Sequence, residues 1–390
     1  MDDVMSEILV RLPSKSVVRY RDVCRSWLRI TSCPYFLAAH SPRRPNDMIV
    51  FTGSGELGTI PVSLDPPAFT PIHLHNKPLS FDRRKYINCK GTLAEMLVGS
   101  CDGLLVEQDH GLYVVCNPMT RQWTNLPPLL AEGAMPCGFY HHVPSGEYRL
   151  LCRAMDTGGC WAYYILAGPR RLCLCTEQPV IWGLGTPTAH GGSLYWLRLT
   201  FPGLPGTDKM LAFDTVAETS RELPRPPTGA NLNVRLCDMG GKLCVTSAPH
   251  GTMSTRQRYT VDLWVADEDE DGGGRWTWTR RHRVCLQQRM LMHSSIWAAR
   301  FVCVERDDVM VVCESAHDKK LNTQHAAGLY HLRDSKFLEP ALDLGECSLS
   351  QFRFKESLVR HAFFDLPRSP DLNFIPFDLP PPQLSPFFHT

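Results

Sequence analysis

A phrase of strand, Asn or Asp turn and returning strand recurs along this 390-residue chain, and it restricts the fold more than any other feature. "GLYVVCNPMTRQWTNLPPL" runs from Gly111 to Leu129, and "GGSLYWLRL" followed by "MLAFDTVAETSRELPRPP" occupies Gly191 to Pro227. "GGKLCVTSA" and "YTVDLWVADEDEDGGGRWTW" repeat the plan from Gly240 onward, and "GLYHLRDSKFLEPAL" is a weaker copy from Gly328. The turn residues Asn117 and Asp214 lie 97 positions apart, close to two units of about 40 to 50 residues, the range of propeller blades. Such a unit cannot bury both faces alone, so units stack around an axis. Unrelated hairpins in a β-sandwich are the competing architecture.

Eleven short runs, from "MIVFTG", "MLVGS" and "GLLVEQ" to "VDLWVAD" and "DVMVVCES", are strand candidates by length, composition and flanking turn residues. Helical periodicity is scarce beyond residue 48, so this part reads as an all-β architecture of many short strands. "DEDEDGGG" (267–274) lacks a calcium-loop spacing and is expected to be a solvated hairpin tip. The last 25 residues carry seven prolines and are expected to form an extended tail.

The first 45 residues follow another rule. Val4, Met5, Ile8, Leu9 and Leu12 recur at helical spacing. Asp2 and Asp3 suit a helix N-terminus. Pro13 stops that helix, and Ser14 is expected to cap a second one through Val17, Val18, Arg21 and Cys24. A third helix through Trp27 and Ile30 is broken at Cys33-Pro34. Three short helices cannot cover all these apolar groups among themselves, so part of their surface requires a partner.

Composition excludes several classes. A formal net charge of +1 does not suit a nucleic-acid or anionic-membrane binder. No apolar run reaches the roughly 18 residues of a membrane helix, and the acidic start "MDDVMSEIL" is unlike a signal peptide. The sixteen cysteines include no CxxC pair and sit mostly in strand-like apolar runs, so buried reduced thiols are expected and no metal or cofactor is implied. Arg43-Arg44 and Arg83-Arg84 are too short for import signals, which leaves cytoplasm and nucleus both open.

"LVGSCDGLLV" is the stretch most open to a catalytic reading, with Cys101 as nucleophile. A nucleophile elbow needs strand, turn and helix, but here a second strand-like run follows Asp102-Gly103, a turn pair. Cys101 therefore belongs to a bend. His141-His142 and His73-His75 lack a carboxylate scaffold for metal, and "GLGTPTAHGG" lacks the lysine and the strand-to-helix setting of a phosphate loop.

"DDVMSEILVRLPSKSVVRYRDVCRSWLRITSCPYFLAAH" resembles the F-box of plant F-box proteins, through Ile8-Leu9, Arg11-Leu12-Pro13, Lys15-Ser16, Arg19-Tyr20-Arg21, Val23-Cys24, Ser26-Trp27, Pro34, Phe36 and His40. Phrases such as "GSCDGLL", "NPMTRQWTNLPP" and "LAFDTVAETSRELP" are similar to those of plant F-box-associated domains. The resemblance implies a mainly β protein: a three-helix F-box over residues 1–45, then a β-propeller-like substrate-binding domain of roughly six to eight blade-like units over 46–365, and the tail over 366–390. It further implies a non-catalytic substrate-recognition subunit of a Skp-cullin-F-box ubiquitin ligase. Its partners would be a Skp-family adaptor and a protein target of unknown identity. The residues expected to face the adaptor are Val4, Ile8, Leu9, Leu12, Pro13, Val17, Val18, Val23, Cys24 and Trp27. F-boxes of this kind carry a Leu-Pro before the acidic pair, whereas the sequence starts at Met1-Asp2-Asp3. That departure implies either an upstream start or weaker docking, and it leaves a non-ligase scaffold as the alternative function.

Overall fold

The computed structural model describes residues 2–51, 57–62, 70–72, 97–109, 112–126, 135–155, 161–167, 170–174, 186–197, 209–228, 232–249, 259–268, 276–286, 297–306, 309–316, 324–338, 342–345, 347–359, 361 and 364. Residues 269–274, His73, His75 and the proline-rich tail, each given a role above, lie outside the described residues.

Four helices come first: α1 (Asp2–Leu9), α2 (Ser14–Tyr20), α3 (Arg25–Ser32) and α4 (Pro34–His40). The fourth replaces the expected break, because Pro34 occupies a first-turn position where its missing N–H costs nothing. The second ends earlier than expected: Cys24 is extended and precedes α3 instead of closing α2.

The strands then form six blades. The first holds β1 (Asn46–Phe51), β2 (Leu57–Ile60) and β3 (Thr70–Ile72). The second holds β4 (Leu97–Cys101), β5 (Leu104–Asp109), β6 (Leu112–Asn117) and β7 (Gln122–Asn125). The third holds β8 (Met135–His142), β9 (Glu147–Met155), β10 (Trp161–Ala167) and β11 (Arg170–Leu174). The fourth is β12 (Thr188–His190), β13 (Ser193–Leu197), β14 (Lys209–Asp214) and β15 (Thr219–Pro224). The fifth is β16 (Leu232–Met239), β17 (Lys242–Pro249), β18 (Tyr259–Glu268) and β19 (Trp276–Leu286). The sixth is β20 (Trp297–Arg306), β21 (Val309–Ala316), β22 (Gln324–His331) and β23 (Lys336–Phe337), with β24 (Leu342–Gly345) also on β22. The last strand, β25 (Ser348–Lys355), returns to pair antiparallel with β1 and becomes the inner strand of the first blade. Ends of the chain far apart in sequence thus close the ring.

Side chains that alternate along each strand serve two interfaces. In β1, Met48 and Val50 pack with Ala327 of the sixth blade, while Ile49 and Phe51 pack with Leu97 and Leu105 of the second. Separate apolar clusters fill the four remaining junctions between successive blades. The β-sandwich alternative is therefore displaced by a six-bladed propeller. Between the third and fourth blades the fully buried Trp196 donates its indole N–H to the Cys137 carbonyl at 3.0 Å.

The recurring phrase is the turn between third and fourth strands. Asn117 Oδ1 accepts from the N–H groups of Met119 and Thr120 (3.0 and 3.3 Å). Asp214 Oδ1 accepts from Val216 and Ala217 at 2.8 Å, which holds its carboxyl below the usual range. His331 Nδ1 accepts from Asp334 N–H at 3.2 Å in the sixth blade. Four residues on from each, Arg121, Glu218 and Ser335 all take positive φ (55°, 55° and 52°). This is a side-chain-nucleated turn closed by one left-handed residue, used three times.

Candidate docking face of the helical unit

Helices of 7 or 8 residues are too short to persist alone. They are held by a cluster of Leu9, Val10, Val17, Ile30 and Phe36, joined by Leu358 from the far end of the chain and flanked by Met119 from the second blade. Tyr20 and Trp27 meet edge to face at 5.3 Å, and Phe36 stacks on His40 at 5.7 Å.

The carbonyls left over at the end of α1 are collected by one arginine. Arg44 donates to the carbonyls of Leu12 (2.7 Å), Arg11 (3.1 Å) and Val10 (3.4 Å), the favourable placement of a cation at a helix C-terminus. His40 Nε2 also donates to the Leu12 carbonyl, at 2.9 Å. At α2 the expected cap is absent: Pro13 is the N-cap residue, and the Ser14 hydroxyl is buried without a partner among the described residues. Instead the Ser14 backbone N–H donates to Glu356 Oε2 at 3.1 Å, across 342 positions of sequence. No local signal points to Glu356.

Against this frame the ten residues expected to face an adaptor separate into three groups. Leu9 and Val17 are turned inward, with relative exposures of 1% and 0%. Leu12, Val18 and Trp27 are half-buried at the edge of the same cluster. Val4, Ile8 and Val23 are open to solvent at 64%, 51% and 60%, with Pro13 and Cys24 also exposed. Val4 and Ile8 stand one turn apart on α1, so they share a face. Leu28 and Tyr35 are exposed apolar residues of the same unit that sequence reasoning did not single out; a helical stripe does not reveal that they point outward.

The bend at Cys101 contrasts with this face. Asp102 and Gly103 both have positive φ (50° and 81°) and join β4 to β5 directly. Burial pushes the Cys101 thiol well above its ordinary range, and the charge of Asp102 pushes it further. A thiol is nucleophilic as thiolate, so this one is held in its inert form. Cys24, Cys33, Cys116 and Cys137 are likewise reduced thiols. Among the described residues no group of three His, Cys, Asp or Glu side chains is arranged to hold a metal, and no helix is long and apolar enough to cross a membrane. His142, one of the paired histidines, bonds to Ser145 Oγ of its own turn (2.7 Å) and to the Val216 carbonyl in the turn of the fourth blade (3.2 Å).

The chain is thus mainly β, a six-bladed propeller preceded by a small helical unit on which Val4, Ile8 and Val23 stand in solvent. Residues 67–360 match the F-box associated beta propeller domain, and the chain belongs to that family. The curated proteins it is similar to include three from Arabidopsis thaliana. An F-box/kelch-repeat protein is 22% identical, with 77% of this chain and 70% of the relative covered. Two F-box proteins are 28% identical, covering 44% and 43%, and 22% identical, covering 87% and 84%. Across such relatives the matched share of their own length runs from 37% to 84%. Among solved structures, a chain of a nidogen/laminin complex aligns at 12% identity over 76% of this chain and 92% of its own, with a TM-score of 0.38. A puromycin-hydrolyzing peptidase of Mycobacterium tuberculosis aligns at 10% identity over 77% and 53%, with a TM-score of 0.35.

Proposed function

We propose that this protein is the substrate-recognition subunit of a Skp-cullin-F-box ubiquitin ligase, with the helical unit docking on a Skp-family adaptor and the propeller holding the target protein. The observation that carries the reading is that Val4, Ile8, Pro13 and Val23 stay exposed although the core of the unit is filled, by its own side chains together with Leu358 and Met119. Val4 and Ile8 form one apolar face on α1, and an exposed face of this kind supports a protein contact. Charged side chains of both signs stand exposed on the same unit, among them Arg25, Asp22 and the Arg11–Glu7 pair at 3.8 Å, so charge as well as apolar area is available to select a partner. The membership of relatives named F-box proteins supports the same reading.

In this role the chain performs no bond chemistry. It raises the effective concentration of target near the ligase and makes a bimolecular transfer nearly intramolecular. The inert environment of Cys101 is in keeping with that. The test is co-purification of the full chain with a Skp-type adaptor, repeated with Val4→Asp/Ile8→Asp. Binding that the double variant abolishes supports the proposal. No binding by the wild-type chain favours the scaffold function instead.

A further inference from the structure

The segment after β25 runs between the helices and the blades, and its successive residues face opposite ways. Glu356 accepts the Ser14 N–H at the start of α2 (3.1 Å). Ser357 turns to the second blade, where its carbonyl accepts from Asn117 Nδ2 (3.1 Å) and its side chain fills the space over Gly103. Leu358, 2% exposed, returns to the helices and completes their apolar cluster. Beyond it, His361 meets the Tyr148 ring edge to face at 4.8 Å, and Phe364 packs on the cluster between the second and third blades. Alternation of this kind is what an extended chain produces between two surfaces.

We infer that Glu356 and Leu358 are positioning residues of the docking helices: the end of the chain supplies the cap of α2 and the last side chain of the helical core. Two features require it. The helices are only about two turns long and cannot be stable without tertiary packing, and Ser14 provides no cap of its own. Both contributed residues follow directly on β25, the strand that closes the ring on β1. A chain whose first blade is not yet closed therefore lacks them, and its docking face takes final form only when the propeller does. The structural part stands by itself; the consequence for docking rests on the adaptor reading above.

Hydrogen exchange on the full-length chain tests the inference without any partner. In Leu358→Asp the backbone amides of α1 to α4 are expected to exchange roughly 30-fold faster or more, the opening expected on losing a buried leucine. The amides of Met48, Val50 and Phe51, which lie in the β1–β25 pairing, keep wild-type protection. Leu358→Met restores the helices, and Glu356→Ala raises exchange in the first turn of α2 about fivefold, the typical effect of a lost cap. Unchanged helix protection in Leu358→Asp overturns the inference, and so does equal loss in β1, which would make Leu358 a propeller residue only. Adaptor affinity measured on the same variants separates the two proposals. If the exchange pattern holds while wild type fails to bind adaptor, the ligase reading falls and the positioning role remains.

Discussion

Gly103 and Ser357 lie so close that a Cβ built on the glycine would stand 2.5 Å from the serine Cβ and 2.9 Å from the Lys355 carbonyl oxygen. The turn of the second blade and the strip leading to the helices are thus in direct backbone contact. Two constraints coincide at Gly103, its positive φ of 81° and the lack of space. Gly103→Ala is expected to cost about 1–2 kcal/mol from the backbone conformation alone, with about 1–3 kcal/mol more from overpacking. A lowered urea midpoint at unchanged slope measures it. A midpoint equal to wild type would mean that the strip is not seated on this turn.

For the proposed docking face, Val4→Asp and Ile8→Asp alter side chains that are more than half exposed. The double variant should keep its melting behaviour within about 0.5 kcal/mol, as exposed substitutions do. Each lost Val- or Ile-sized contact with an adaptor is worth about 1.5–3 kcal/mol, or roughly ten- to a hundredfold in Kd. Leu12→Asp is the poorer probe, because Leu12 is half-buried in the helical cluster and its carbonyl anchors both His40 and Arg44. Calorimetric titration with adaptor reads the first outcome; equal Kd for wild type and the double variant would put the contact elsewhere.

Trp196 joins two blades through area and through one hydrogen bond. Trp196→Ala should cost about 3–5 kcal/mol, the range for deleting a buried indole. Trp196→Phe keeps most of the contact but strands the Cys137 carbonyl, so a penalty of about 1–3 kcal/mol remains. Guanidinium denaturation orders the two variants. If phenylalanine proved as stable as tryptophan, the bond to Cys137 would contribute nothing.

His40 confers a pH dependence on the helical unit. Its pKa lies below the ordinary 6.5, chiefly through burial; the bond to Leu12 and the charge of Glu356 pull it up, while Arg44 and Arg21 push it down. Nδ1 has no partner among the described residues, so protonation would add a buried unpaired donor. With the folded pKa depressed, the unfolded chain takes up the proton first. The stability due to neutral His40 is complete above the unfolded pKa and is lost as pH falls through the folded one. Helix amide exchange compared at about pH 7.5 and about pH 5.5 should show faster opening at the lower value. His40→Gln keeps a donor toward Leu12 and should lessen that slope. His361, also lowered mainly by burial, adds a component of the same sign, so the double variant with His361→Gln should be flatter still. A slope untouched by either change would sink the assignment.

Much of the propeller was legible because turn chemistry is local. Asn117 and Asp214 hold the N–H groups two and three residues on, so the same residues announce the turn wherever it occurs. The strands that escaped notice have other patterns. β8 contains Pro136 and Gly138, the latter required because a Cβ there would come within 2.6 Å of Leu194 Cδ1. β19 ("WTWTRRHRVCL") runs well past the "RWTW" expected as a returning strand, and its continuation, like β25 ("SLSQFRFK"), alternates with polar or charged side chains that hide the buried face. Even so, Trp276 and Val284 of β19 and Leu349 and Phe354 of β25 are core residues.

Periodicity located the helices and the apolar residues on them, and turn residues located the blades, since each depends on neighbours within about one turn or one hairpin. Which of those apolar residues face inward was decided by the tertiary structure. Val4 and Leu9 read alike in sequence, yet one stands in solvent and the other in a core that Leu358 completes. The cap of α2 likewise comes from Glu356, 342 positions away. Contacts of that range exist only after β25 has met β1, so no pattern within the first 45 residues could have foretold them.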